Sequence, residues 1–394
     1  MTSRPLRIGY CLSLTGPLAG NSRSARLAHE IWRDDVNRRG GLLGRPVELI
    51  CLDDKGDAAL GGSLYARLID HEGADLVIGG YGTNSLISAL PEIIARDRYF
   101  VGLMGLGANN EFGYGKYFAI IPTGRDPNAA LTEGFFDVAA QQTPRPRTVA
   151  LLSADAVFSR NPVLGGHGNA AKYGIKVVHE ATYPLGTTNF VPYLDAVAES
   201  GCELLFLCSY LQDSIDLVRA VQAHPYKPKM VGAAMIGPQN TQVKQALGSL
   251  LNGIVNYEYW VPAPSMAFDG VQALMESYRQ RSAGTDLDPL GHYMAPLAYA
   301  QLQVVAHAVE QTQSLDDQIL SEFTRTTSFP TVMGDVSFGT LGEWQTPRVL
   351  QVQFQGIAGD DLDQYRDGSR LIIVYPADKA SGTLIYPFED ARLP

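Results

Sequence analysis

Short apolar runs alternate with segments of helical spacing along this chain, and that alternation limits what it can fold into. Strand-like runs fall at 6–12, 47–52, 75–79, 99–103, 148–152, 176–180, 203–208, 230–234 and 253–260. Amphipathic segments lie between them, for example at 24–39, 60–72, 86–96, 128–141, 191–199, 214–223 and 241–251. Strands separated by helices of this length pair in parallel, since a parallel neighbour needs a crossover of a dozen or more residues. Parallel sheets are in turn covered on both faces. The rhythm pauses between residues 114 and 127 and then resumes. At 394 residues the chain exceeds the size at which a single core stops growing. Two sheets joined by a crossover therefore fit better than one long sheet. The expected fold class is α/β, with two doubly wound parallel-sheet lobes.

The pattern changes after Trp260. Val261-Pro262-Ala263-Pro264 breaks the chain, and long helical patterns follow at 266–281 and 290–311, then a shorter one at 315–324. The tail from 334 to 394 carries strand signals at 335–339, 348–354 and 371–375, with glycines marking turns. Crossings near residues 121, 257 and 335 would form a three-segment hinge. The expected N-terminal lobe is 1–121 plus 258–334, and the C-terminal lobe is 122–257 plus 335–394.

Composition removes several function classes. The formal charge is −10, with no basic stripe to neutralise phosphates, so no nucleic-acid partner is expected. No run of 18 apolar residues is present to span a bilayer. The seven histidines lack metal-ligand spacing, and neither a Gly-x-Ser-x-Gly elbow nor a phosphate loop occurs. Gly165-Gly166-His167-Gly168 reads as a turn that starts a helix, with no nucleophile beside it. No metal, no cofactor and no enzymatic activity are expected. Cys11, Cys51, Cys202 and Cys208 sit in or beside apolar runs and read as small buried hydrophobes. No apolar signal segment precedes the first strand-like run. A cytoplasmic protein and an exported one that has lost its signal are both compatible with that.

The stretch from 74 to 105 concentrates the candidate chemistry. Leu76-Val77-Ile78 breaks on Gly79-Gly80, and Tyr81, Thr83, Asn84 and Ser85 precede an amphipathic segment. Thr, Asn and Ser are helix-capping residues, and a helix N-terminus suits an anion such as a carboxylate. Polar and aromatic residues recur at other predicted strand ends, where open α/β sheets bind ligands. They lie at 13–17, 81–85 and 104–109 in one lobe and at 155–159, 209–210 and 235–240 in the other. Three loops per lobe define two facing rims, and so a cleft.

These residues resemble the type I periplasmic solute-binding proteins of branched-chain amino-acid (leucine/isoleucine/valine) ABC transporters. The similarity is carried by Ile8-Gly9 with Leu14-Thr15-Gly16-Pro17-Leu18-Ala19, by 36–47 (VNRRGGLLGRPV), by Asp53-Asp54, and by Val77-Ile78-Gly79 before Thr83. The resemblance implies that Thr83, with Asn84 and Ser85, holds a ligand carboxylate, helped by Met104, Gly105 or Leu106 after the next strand. It implies that Phe158 and Tyr210 close over the ligand from the second lobe. Two positions depart from the family pattern. Leu106 stands where a hydroxyl helps bind the ammonium, and Gln239 where an acidic residue pairs with it. Burying an ammonium without an anion costs several kcal/mol. The expected ligand is therefore a carboxylate with an aromatic or apolar body, or alternatively an amino acid, delivered to a membrane ABC permease by an extracytoplasmic monomer. The alternative reading is a cytoplasmic amide or amino-acid sensor of the same fold that regulates gene expression through a partner protein.

Overall fold

The computed structural model describes residues 4–16 and 18–392. Pro17, part of the first expected rim loop, and the extreme ends of both expected lobes lie outside the described residues. The chain divides into two compact units, Met1–Arg125 with Phe268–Pro347 and Asp126–Ala267 with Arg348–Pro394.

The first unit begins with β1 (Leu6–Leu12), α1 (Ala19–Arg38), β2 (Val47–Asp53) and α2 (Gly61–Asp70). It continues through β3 (Leu76–Ile78), α3 (Thr83–Ala95), β4 (Phe100–Gly102) and β5 (Tyr117–Ala119). These strands pair in parallel in the order β2-β1-β3-β4-β5. Residues of β3 and β4 are all buried, whereas the edge strand β2 buries only Val47 fully. The run at 114–122, which looks like a pause in the sequence, supplies the fifth strand. No helix separates it from β4, so the rhythm hides it.

The second unit runs α4 (Pro127–Ala130), α5 (Glu133–Ala140), β6 (Thr148–Ala154), α6 (Val157–Lys172) and β7 (Lys176–Tyr183). Then come α7 (Val191–Glu199), β8 (Leu204–Cys208), α8 (Leu211–Ala223), β9 (Met230–Ala233), α9 (Thr241–Leu247) and β10 (Ile254–Glu258). Next the first unit receives α10 (Val271–Ser282), α11 (Ala295–Thr312), α12 (Asp317–Thr326) and the hairpin β11 (Phe329–Thr331) with β12 (Gly334–Val336). The chain ends in the second unit with β13 (Leu350–Phe354), β14 (Leu371–Tyr375) and α13 (Phe388–Ala391). The second sheet has the order β14-β13-β10-β9-β8-β6-β7, in which β13 is antiparallel to both of its neighbours, β10 and β14.

Three expectations change. The chain passes between units at 125/126, 267/268 and 347/348 rather than near 121, 257 and 335. The last shift follows from β12, which pairs with β11 and so stays in the first unit until 347. The expected helix over 128–141 is two short helices. Asn169 on α6 donates to Ala129 O (2.9 Å) and Thr132 Oγ1 (2.9 Å) where they break. Finally, Gly165 to Gly168 do not start a helix; they lie in the middle of α6.

The reason is close packing. A Cβ on Gly165 would stand 1.8 Å from the carbonyl oxygen of Asn128 in α4. Helix propensity alone favours alanine there by ~0.8–1 kcal/mol. The clash acts in the opposite direction, by about 1–3 kcal/mol for an overpacked site. Gly165→Ala is therefore expected to lower the urea midpoint of unfolding; a stabilised variant would show that the helices are not held this close.

Candidate functional site

In the first unit the loops after β3 and β4 are bonded to each other. Tyr81 and Met104 form a bridge, and Gly82 N–H donates to Met104 O at 2.9 Å. Gly82, at φ 113°, occupies the N-cap position of α3, in a region of backbone space that side chains disfavour. This revises the expected capping role. Thr83, Asn84 and Ser85 form the first turn of the helix, and the cap has no side-chain oxygen to fill the amides. The first helical amide satisfied from within is that of Leu86, which donates to Gly82 O at 3.1 Å. The N–H groups of Thr83, Asn84 and Ser85 thus stay at a positive helix end, donors directed at whatever lies before it.

The Thr83 hydroxyl accepts the N–H of Leu106 at 3.0 Å. Its own proton remains available to donate, while the amide of Leu106 is already used. Asn84 is exposed, Thr83, Ser85 and Leu106 are half-buried, and Met104 and Gly105 are buried. Tyr81 is packed rather than open. Its hydroxyl accepts from Asn21 Nδ2 (2.9 Å), its ring lies edge-on to Tyr293, and burial pushes its phenol pKa up. Asp53 and Asp54 tie down the neighbouring loop. Asp53 Oδ1 accepts from Leu14 and Lys55 N–H, each at 2.8 Å, and Asp54 accepts from the Ser13 hydroxyl. Partial burial pulls the Asp53 carboxyl upward, but these bonds prevail and hold it below its ordinary range.

In the second unit Phe158 and Tyr210 come together. Their rings are 5.9 Å apart at 82°, and Phe158 N–H, in the first turn of α6, donates to Tyr210 Oη at 3.0 Å. Tyr210 itself caps α8, and its N–H donates to Asp213 Oδ1 (3.1 Å). The other oxygen of Asp213 accepts the Tyr183 hydroxyl at 2.7 Å. One buried carboxylate therefore links the ends of β7 and β8 and fixes the aromatic pair. Sequence reasoning passed over Asp213, although an acidic residue three positions after a helix start is a capping signal.

Gln239 lies in a single 3₁₀ turn, buried. It donates to Tyr257 O at 3.0 Å, and its Oε1 has no partner among the described residues. One of its two amide protons is thus engaged by the protein. Asn256, also unforeseen, exchanges two 2.9 Å bonds with the backbone of Met235 and anchors this loop to β10. Among the described residues no group of His, Cys, Asp or Glu could hold a metal ion, and the four cysteines are free, three of them buried.

A family model described as periplasmic binding protein matches residues 5–350. The chain belongs to the periplasmic binding protein family. It is 24% identical over 392 residues to a Leu/Ile/Val-binding protein homolog of Brucella abortus, covering 95% of this chain and 91% of the relative. Its fold is that of type I periplasmic binding proteins. It matches the isoleucine complex of a branched-chain amino acid transporter substrate-binding protein from Streptococcus pneumoniae at a TM-score of 0.74 and 15% identity, covering 98% and 100% of the two chains. It also matches the benzoate complex of an ABC transporter solute-binding protein from R. palustris at a TM-score of 0.71 and 15% identity, covering 91% and 96%.

Removing the carboxylate of Asp213 from this periplasmic binding protein leaves a buried tyrosine hydroxyl and a capping amide unpaired. Hydrogen bonds to a charged group contribute ~1.5–3 kcal/mol each. Asp213→Ala is expected to destabilise the protein by on the order of 3 kcal/mol in denaturant unfolding. A loss below about 0.5 kcal/mol would show that the bonds are dispensable.

Proposed function

We propose that this chain is the extracytoplasmic solute-binding component of an ABC importer. Its two lobes close around a small carboxylate, an aromatic or apolar acid or an amino acid, and the closed form delivers it to a membrane permease. The observation that carries the reading is the N-terminus of α3, where a glycine cap leaves three backbone amides and the Thr83 proton to serve one anion. Phe158 and Tyr210, locked to each other, supply an aromatic face for the ligand body. Leu106 offers no hydroxyl, and Gln239 is neutral where an ammonium would need an anion. That combination favours an uncharged distal end, carrying at most a hydroxyl, over an ammonium. A relative in the family is a Leu/Ile/Val-binding protein homolog, and among transporter binding proteins of the same fold one holds isoleucine and one benzoate.

Closure needs a differential affinity of ~10⁴, about 5.5 kcal/mol, to turn a 1:99 mixture into 99:1. Two or three charge-assisted hydrogen bonds at ~1.5–3 kcal/mol each supply about 3–9 kcal/mol, and burial of an apolar ligand body adds to that. A thermal-shift comparison of benzoate with L-isoleucine tests the ligand class. A ligand present at 100 times its Kd adds about 2.7 kcal/mol of stability. Benzoate is expected to raise the melting temperature more at equal concentration; stabilisation by isoleucine with benzoate inert would reverse the preference.

Thr83→Ala tests the anion site. Loss of the hydroxyl is expected to weaken binding of the better ligand roughly ten-fold, about 1.4 kcal/mol. Affinity equal to that of the unaltered protein, read by calorimetry, would place the carboxylate elsewhere.

A further inference from the structure

Behind the anion site of the first unit lies one buried side chain that touches both strand ends leading to it. Gln301, on α11, has no exposed surface. Its Nε2 donates to Gly79 O at 2.8 Å and to Val101 O at 2.6 Å. Gly79 is the first residue beyond β3, and Val101 lies in β4. Val101 O also accepts the N–H of Gly79, at 2.8 Å. From this point the two segments continue to Thr83 and Leu106, which bond to each other. Gln301 thus clamps the pair of strands a few residues upstream of the groups that would meet a carboxylate.

The amide can do this in only one orientation. With both protons given to carbonyls, its Oε1 must accept, and it faces His29 Nε2 at 3.0 Å. His29 therefore carries its proton on Nε2. Its Nδ1 has no partner among the described residues, and the Tyr10 ring lies edge-on beside it at 4.8 Å. A flipped carboxamide would set its oxygen against two carbonyl oxygens, so the carbonyls fix the amide and the amide in turn fixes the His29 tautomer. Burial holds the His29 pKa down at about 4, so the neutral form persists at ordinary pH.

We propose that Gln301 is a positioning residue for the anion site, holding the ends of β3 and β4 in register so that Thr83 and the loop at 104–106 stand where a carboxylate needs them, with His29 satisfying the remaining amide oxygen. The inference rests on the carboxylate reading of the α3 N-terminus. Such sites demand placement within about 0.5 Å, and loops reach that only when the groups behind them are locked. Apart from Tyr299, whose hydroxyl donates to Asp35, the other buried residues of α11 are apolar, so a carboxamide at its centre serves the two carbonyls and not the packing.

The test compares Gln301→Met, which removes both donors at similar volume, with Val305→Ala, a truncation at a buried position of the same helix. Sodium benzoate and L-isoleucine are titrated by calorimetry, and backbone hydrogen exchange is followed by mass spectrometry. Gln301→Met is expected to weaken the binding of whichever probe the unaltered protein takes by roughly ten-fold. Exchange should speed up in peptides covering 79–86 and 102–108 and stay unchanged over 47–56. Val305→Ala should lower the melting temperature and leave affinity within about two-fold. Unchanged affinity in Gln301→Met, or faster exchange spread over the whole unit, overturns the proposal. If the unaltered protein binds neither probe, the carboxylate reading fails, and the exchange pattern still decides the role of Gln301. Should Gln301→Met not fold, His29→Leu keeps both amide donors and is measured in the same way. A smaller rise in exchange confined to the same two peptides supports the proposal, and no rise or a general one overturns it.

Discussion

Parallel pairing brings the carboxyl end of every strand to the same edge of its sheet, and the chemistry of this protein depends on that constraint. In the first unit it gathers the loops after β1, β2, β3 and β4 along one rim. In the second it does the same for β6 to β10. Helices must return the chain to the opposite edge, so helix N-termini begin at the rim and helix C-termini lie away from it. A rim built this way offers backbone donors and a positive dipole wherever a helix starts without a side-chain cap. Helix α3, capped by Gly82, is such a start.

Buried polar side chains hold the loops at these rims alongside the apolar packing. Gln301 grips the carbonyls behind the Thr83 loop, Asp213 binds two strand ends under Tyr210, and Asn256 pairs with the backbone of Met235. Each is fully or almost fully buried. A buried polar group costs free energy unless it is bonded, so these residues tolerate few geometries and impose the ones observed. They rigidify the loops without occupying the surface where a ligand would sit.

Much of the candidate site was legible in the sequence because it is local. Thr83, Asn84 and Ser85 follow a strand and open a helix, and Phe158 and Tyr210 follow strands in the same way. What each side chain is bonded to was not legible. Tyr81, read as a residue of the loop before the helix, is packed against Tyr293; Gln239, read as standing where an acidic residue would be, donates to Tyr257 O. Gln301 lies 222 and 200 residues along the chain from the two carbonyls it holds, and no local pattern reveals such a pairing.

The sequence by itself determined the α/β class, the two-unit division and the parallel order of construction, because apolar periodicity and crossover length are properties of short segments. The tertiary structure decided where the chain passes between units, that residues 117–119 form a strand, and that the glycines of 165–168 belong inside a helix. Those outcomes depend on partners outside the segment itself: β4 for β5, β11 for β12, and the Asn128 carbonyl for Gly165. A glycine that starts a turn and a glycine that admits a neighbouring helix are identical in sequence. Only the atom that would meet its missing Cβ tells them apart.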